Sequence, residues 1–129
     1  MSGWDPAAVG LLTLLPKAGR GPRREGIFAL WLTLRVAQDY LLDPPLGERA
    51  SRRRLLALEA RLSSLTVPPP LRRALAAALL QLREGRPDAV PLALAALVAP
   101  ARDAVGPEAG DAMQHAWRAA RHRLGAPSR

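Results

Sequence analysis

One apolar stretch, residues 26–42 (GIFALWLTLRVAQDYLL), constrains the fold more than any other part of the chain. Apolar side chains recur along it in two rows at helical spacing, and together the rows cover most of the circumference of a helix. A helix that is apolar nearly all round is stable in water only when other elements cover it. The pattern therefore predicts a central helix around which the rest of the chain packs.

A membrane-spanning helix is the competing interpretation of this stretch. A span needs about 20 apolar residues with few or no charges, whereas Arg35 and Asp39 interrupt the run. Their spacing of four residues instead predicts an ion pair on one narrow polar strip of the helix. We therefore expect a buried helix and not an integral membrane protein.

Proline and glycine divide the rest of the chain into segments of helical periodicity, and no stretch alternates as a strand does. The fold class predicted is all-α, a compact bundle of about six short-to-medium helices joined by Pro/Gly turns. We expect one domain over residues 1–125 and a frayed tail at 126–129. The expected helices are 6–15, 26–42, 47–65, 71–84, 88–105 and 107–125, with a loop at 17–26.

Several details follow from the same patterns. In the first helix, Val9, Leu12 and Leu15 are expected to face the core. Asp88 is expected to cap the fifth helix, and Pro100 to kink or divide it. An alternative architecture is a pair of helical-hairpin repeats, because residues 65–85 and 105–125 each run turn, helix, glycine.

Net charge is the strongest compositional signal for function. The chain carries a formal charge of +8, which favours a polyanionic partner such as nucleic acid. Lys17 is the one lysine among the basic residues, so a GC-rich genome is an alternative source of the arginine excess. Two clusters form the candidate polyanion-binding residues: Lys17, Arg20, Arg23, Arg24, Arg49, Arg52, Arg53 and Arg54.

The last helix carries a polar stripe that contains both histidines. Asp111, His115, Arg118 and His122 recur at spacings of four, three and four residues. His115 and His122 lie two turns apart, about 10 Å along a helix, so one ion cannot bind both. An Asp111–His115 pair remains as a candidate acid–base or metal-binding group. Without a third ligand, the pattern favours an exposed stripe, and we predict no metal and no cofactor.

The first helix offers a further alternative. Its leucines, with Trp4 before them and the basic segment after them, could form a membrane-surface anchor. The other interpretation is a helix that covers the bundle. The leucines concerned are Leu11, Leu12, Leu14 and Leu15.

These observations favour a small helical protein–protein interaction module, a subunit or adaptor that binds a protein partner or self-associates. The alternative is a basic nucleic-acid-associated accessory protein that uses the two arginine clusters. No motif indicates an enzyme. The absence of cysteine excludes disulfides and thiol chemistry, and no signal peptide is recognised at the start. Both observations suit the cytoplasm.

Overall fold

The computed structural model describes residues 5–41 and 46–125. Within these ranges it contains six helices and no strand, which confirms the predicted all-α bundle. The helices are α1 (Asp5–Leu14), α2 (Pro22–Asp39), α3 (Glu48–Ser63), α4 (Pro69–Leu82), α5 (Ala89–Val105) and α6 (Pro107–Gly125). Two expectations fall outside the described residues: the role of Trp4 in a membrane anchor and the frayed tail at 126–129. α2 ends at Asp39, three residues before the expected end at residue 42.

The predicted central helix is α2, which packs against α1, α3, α4 and α5. Ile27, Leu30 and Leu34 are fully buried along it. Gly26 allows α2 and α5 to approach closely, because a Cβ added there would lie 2.7 Å from a methyl group of Val105 on α5. The chain then completes the bundle with the pairs α4–α5, α5–α6 and α1–α6. Burial of the α2 side chains by four neighbours is the arrangement expected of a helix that is apolar nearly all round.

The expected loop at residues 17–26 is shorter than the sequence suggests. α2 already begins at Pro22, so Arg23, Arg24 and Glu25 belong to its first turn. Proline suits the first position of a helix because its fixed backbone angle is helical and its missing N–H would be unpaired there. Gly21, with a φ of 109°, makes the turn that leads into it. Glycine and proline therefore mark the start of the helix here and not the length of a loop.

The face of α1 that meets the core also differs from the expectation. Val9 and Leu12 are exposed, whereas Ala7, Ala8 and Leu11 are buried. α1 lies against both α2 and α6, and small alanine side chains let a helix approach two neighbours at once. Leu15 is partly buried against the core, as expected.

Pro100 does not divide α5, which is helical from Ala89 to Val105. The helix packs against α2, α4 and α6, and this burial stabilises a helix that proline alone would weaken. Asp88 makes no side-chain hydrogen bond to the helix start, so the expected cap is wrong. Its carboxylate lies 3.7 Å from Arg86 instead.

The expected ion pair between Arg35 and Asp39 is also wrong. The buried carboxylate of Asp39 pairs with Arg54 on α3, and Arg35 lies over the ring of Trp31. A contact between helices replaces the local contact because Asp39 faces the neighbouring helix α3 and not solvent. Within α3, Glu48 and Arg52 form an ion pair at 3.4 Å.

Candidate protein-binding face

The outer side of α5 is unusual because it is exposed yet carries no polar side chain over most of its length. The first thirteen residues of the helix, AVPLALAALVAPA, contain no charge and no hydrogen-bonding side chain. One side of this segment packs into the bundle, and the opposite side is exposed. Leu92 is 64% exposed there. The exposed row is Leu92, Ala95, Ala96 and Ala99.

α4 continues the same apolar surface. It contacts α5, and the short connection makes the two helices antiparallel neighbours. Its exposed row is Ala76, Ala77 and Leu80, of which Leu80 is 62% exposed. We call these two exposed rows together the α4–α5 face, defined by residues 76, 77, 80, 92, 95, 96 and 99.

Charged residues mark both ends of the α4–α5 face. Arg73 extends the α4 row at one end, and Glu84 follows α4 at the other. Asp88 and Asp103 stand on the α5 row, fifteen residues apart, which is about 22 Å along the helix. All four residues are exposed. The face is thus a bounded apolar strip on a chain of which 23% of residues are charged.

A cleft of about 620 Å³ lies elsewhere, between α3 and the connection from α4 to α5. Exposed Leu46 and Leu56 line it, and an ion pair between Glu59 and Arg83 bridges it. The four carboxylates in its wall each pair with an arginine, which leaves no concentrated charge to recognise a ligand. These carboxylates are Asp39, Glu48, Glu59 and Glu84.

Tyr40 in this cleft provides a local test of the structure. Burial, and secondly the negative charge of Asp39, raise the pKa of Tyr40 above its ordinary value of 10.0. The folded state therefore favours the protonated phenol. The contribution of Tyr40 to folding stability is fully present below pH 10 and is lost as the pH rises through the pKa of Tyr40 in the folded protein. We expect an ultraviolet titration of the native protein to show a higher midpoint than the urea-unfolded chain. Since the chain has one tyrosine, the signal is unambiguous, and equal midpoints would contradict the burial of Tyr40.

The eight candidate polyanion-binding residues do not form one patch. The residues from Lys17 to Arg24 lie at the start of α2, whereas Arg54 pairs with Asp39 at its end. The two clusters are therefore about 22 Å apart along α2. Three of the eight also have partners within the protein. Arg23 donates to the carbonyl of Val105, and Arg52 and Arg54 pair with carboxylates.

A row of aromatic and basic side chains was not predicted from the sequence. Phe28 and Trp31 stack with ring centroids 6.1 Å apart. Arg35 lies over Trp31, and Arg61 from α3 lies over Phe28. The contact of Arg61 with Phe28 joins α3 to α2, whereas that of Arg35 with Trp31 lies within α2. Because Arg61 lies 33 residues from Phe28, no local pattern could indicate this row.

The polar stripe of α6 is exposed at all four positions, Asp111, His115, Arg118 and His122. Asp111 lies 3.4 Å from Arg102 on α5 and has no hydrogen bond to His115 among the described residues. Over the same residues, no group of three acidic or histidine side chains could hold a metal ion. The stripe therefore lacks the converging groups that an acid–base site requires.

Comparison with protein-family models, curated proteins and solved structures found no match to this chain. In residues 5–41 and 46–125, no helix is long and apolar enough to cross a membrane. Function therefore has to be inferred from the structure itself. The α4–α5 face is the feature that the sequence patterns did not indicate, although thirteen residues without a polar side chain in α5 were a readable signal. A helix that is apolar all round predicts cover on every side, whereas none of the described residues covers the outer row of α5.

Proposed function

We propose that this chain is a protein–protein interaction module whose binding surface is the α4–α5 face. The observation that supports it is the outer row of α5, where four apolar side chains are exposed and no polar one lies among them. Scattered exposed leucines are common on protein surfaces, but contiguous apolar patches are rare on monomers and typical of interfaces. A partner that covers the face supplies the burial that the described residues do not give to the outer row of α5.

The composition of the face suits a helix as the docking element. Alanines at three of the four α5 positions let a partner backbone approach closely, and Leu80 and Leu92 project as anchors. Absence of charge at the centre with charged residues at the ends is the usual arrangement of an interface core and its rim. The chemistry favours a protein surface of the same kind, apolar and rich in small residues.

The alternative proposal is nucleic-acid association through the exposed basic residues without a protein partner. Its support is the formal charge of +8, together with Lys17, Arg20 and Arg24 near the start of α2. Such binding weakens steeply with salt, roughly in proportion to the phosphates contacted. The separation of the two clusters along α2 and the internal partners of three arginines make it the weaker proposal.

A photo-reactive amino acid placed at Ala96 tests the proposed interface in cells. The matched control is Ala60, which is also an exposed alanine within a helix, on α3. We expect illumination to give one discrete cross-linked product from position 96 and none from position 60. No product from position 96, or the same product from both positions, would contradict the proposal.

A further inference from the structure

We infer that the occupant of the α4–α5 face is the same face of a second copy of this chain, with α5 antiparallel to the partner's α5. This inference rests on the proposed function and adds the identity of the partner and its orientation. Identical chains most often pair about a two-fold axis, so that one patch must be complementary to itself. The distribution of large and small side chains on the face meets that requirement in one orientation.

Side-chain size along α5 favours the antiparallel orientation. A two-fold axis between Ala95 and Ala96 places Leu92 over the partner's Ala99, and the reverse contact follows by symmetry. Each leucine then fills the space above an alanine, and the central alanines let the helices meet closely. A parallel orientation would place leucine on leucine at one end and alanine on alanine at the other, which leaves a gap.

For the α4 row, the inference requires the same axis to pass between residues 78 and 79. Leu80 lies over the partner's Ala77, again a large side chain over a small one. Arg73 then reaches the partner's Glu84 at the edge of the face. Arg73 has no ion-pair partner among the described residues, whereas exposed Glu84 pairs with Arg86 at 2.8 Å, so the partner's Arg73 would share this carboxylate. The positive and the negative charge thus lie at opposite ends of the α4 row, and an antiparallel copy brings them together.

One contact at the rim is unfavourable and distinguishes the orientations. Asp88 of one chain faces the partner's Asp103 at each end of the α5 pair, and both carboxylates are exposed. Replacement of Asp103 with lysine converts two repulsive contacts into two attractive ones in the antiparallel dimer. In a parallel dimer the same replacement sets lysine against lysine and gives no gain.

The first experiment uses cysteine pairs, since the chain has no cysteine of its own. We expect a mixture of Leu92→Cys and Ala99→Cys chains to form a disulfide-linked heterodimer on mild oxidation. Neither variant alone is expected to cross-link, because the two copies of position 92 lie about 10 Å apart along the pair. Cross-linking of Leu92→Cys with itself would overturn the antiparallel orientation.

The second experiment measures the mass of the purified protein by sedimentation equilibrium. We expect a concentration-dependent dimer, which Ala96→Arg reduces to a monomer. We expect Asp103→Lys to lower the dissociation constant about tenfold, whereas Glu48→Lys, the same charge change on α3, leaves it unchanged. A monomer at every concentration would overturn self-association. A cellular cross-link from Ala96 to a different protein would then still support the interaction module, so the two proposals fail separately.

Discussion

Replacing Leu30 with alanine is expected to lower the free energy of unfolding by about 3 kcal/mol. Leu30 is fully buried at the middle of α2, the helix that contacts four others. The substitution removes buried methyl groups and leaves a cavity that close-packed neighbours fill only in part. A urea titration followed by circular dichroism measures the change.

Leu56→Ala on α3 is the matched control. This leucine is 57% exposed, so its removal is expected to change the unfolding free energy by less than about 0.5 kcal/mol. Similar losses for the two variants would contradict the placement of α2 at the centre of the bundle.

Gly110→Ala is expected to destabilise the protein by about 2 kcal/mol, even though alanine is the better helix former. A Cβ at position 110 would lie 2.7 Å from the Cβ of Arg102 and 3.1 Å from its Cα. The Arg102 backbone cannot move aside without displacing α5 from α6, so the clash is not relieved by a rotamer change. Thermal denaturation of the variant measures the loss.

Gly10→Ala provides the opposite expectation for the same change. Gly10 lies within α1, and a Cβ there would be 3.8 Å from the nearest side chain, that of Ala112. Without a clash, the helix preference for alanine should raise stability by up to about 1 kcal/mol. If both variants gained stability, the close approach of α5 and α6 at Gly110 would be wrong.

The helices were predictable because their causes are local. Leucines recur at helical spacing along α4 and α5, and Leu71, Leu75, Leu94 and Leu97 are all buried. Proline and glycine identified most helix ends. Pro22 was the exception, since the same residue type that suits a loop also suits the first turn of a helix.

Contacts between helices were not predictable from local spacing. Arg35 and Asp39 have the spacing of an ion pair, yet Asp39 faces α3 and pairs with Arg54. In α1, Val9 and Leu12 were expected inside, but both are exposed. Ala7 and Ala8 are buried instead, because α1 packs against two helices. Each error arises because a sequence pattern defines a face of a helix but not what packs against it.

The α4–α5 face is a second feature that local sequence patterns could not predict, here because it is exposed where burial was indicated. The apolar content of α5 indicates burial, and the sequence offered no way to see that residues 5–41 and 46–125 would leave its outer row exposed. The candidate basic residues were recognisable one by one, but only the fold shows that α2 separates them. Function therefore had to be inferred from exposed apolar side chains that the sequence patterns had assigned to no face.

The most direct test of this account compares the reactivity of two single cysteines, Leu92→Cys and Leu56→Cys, toward a maleimide. In the isolated chain the two leucines are similarly exposed, at 64% and 57%, so an uncovered protein should label at similar rates at both positions. We expect the thiol at position 92 to react at least about tenfold more slowly at concentrations where the face is occupied, and to reach the rate of position 56 on dilution. Equal rates at every concentration, in cell extract as well as in purified protein, would contradict the claim that the α4–α5 face is a binding surface.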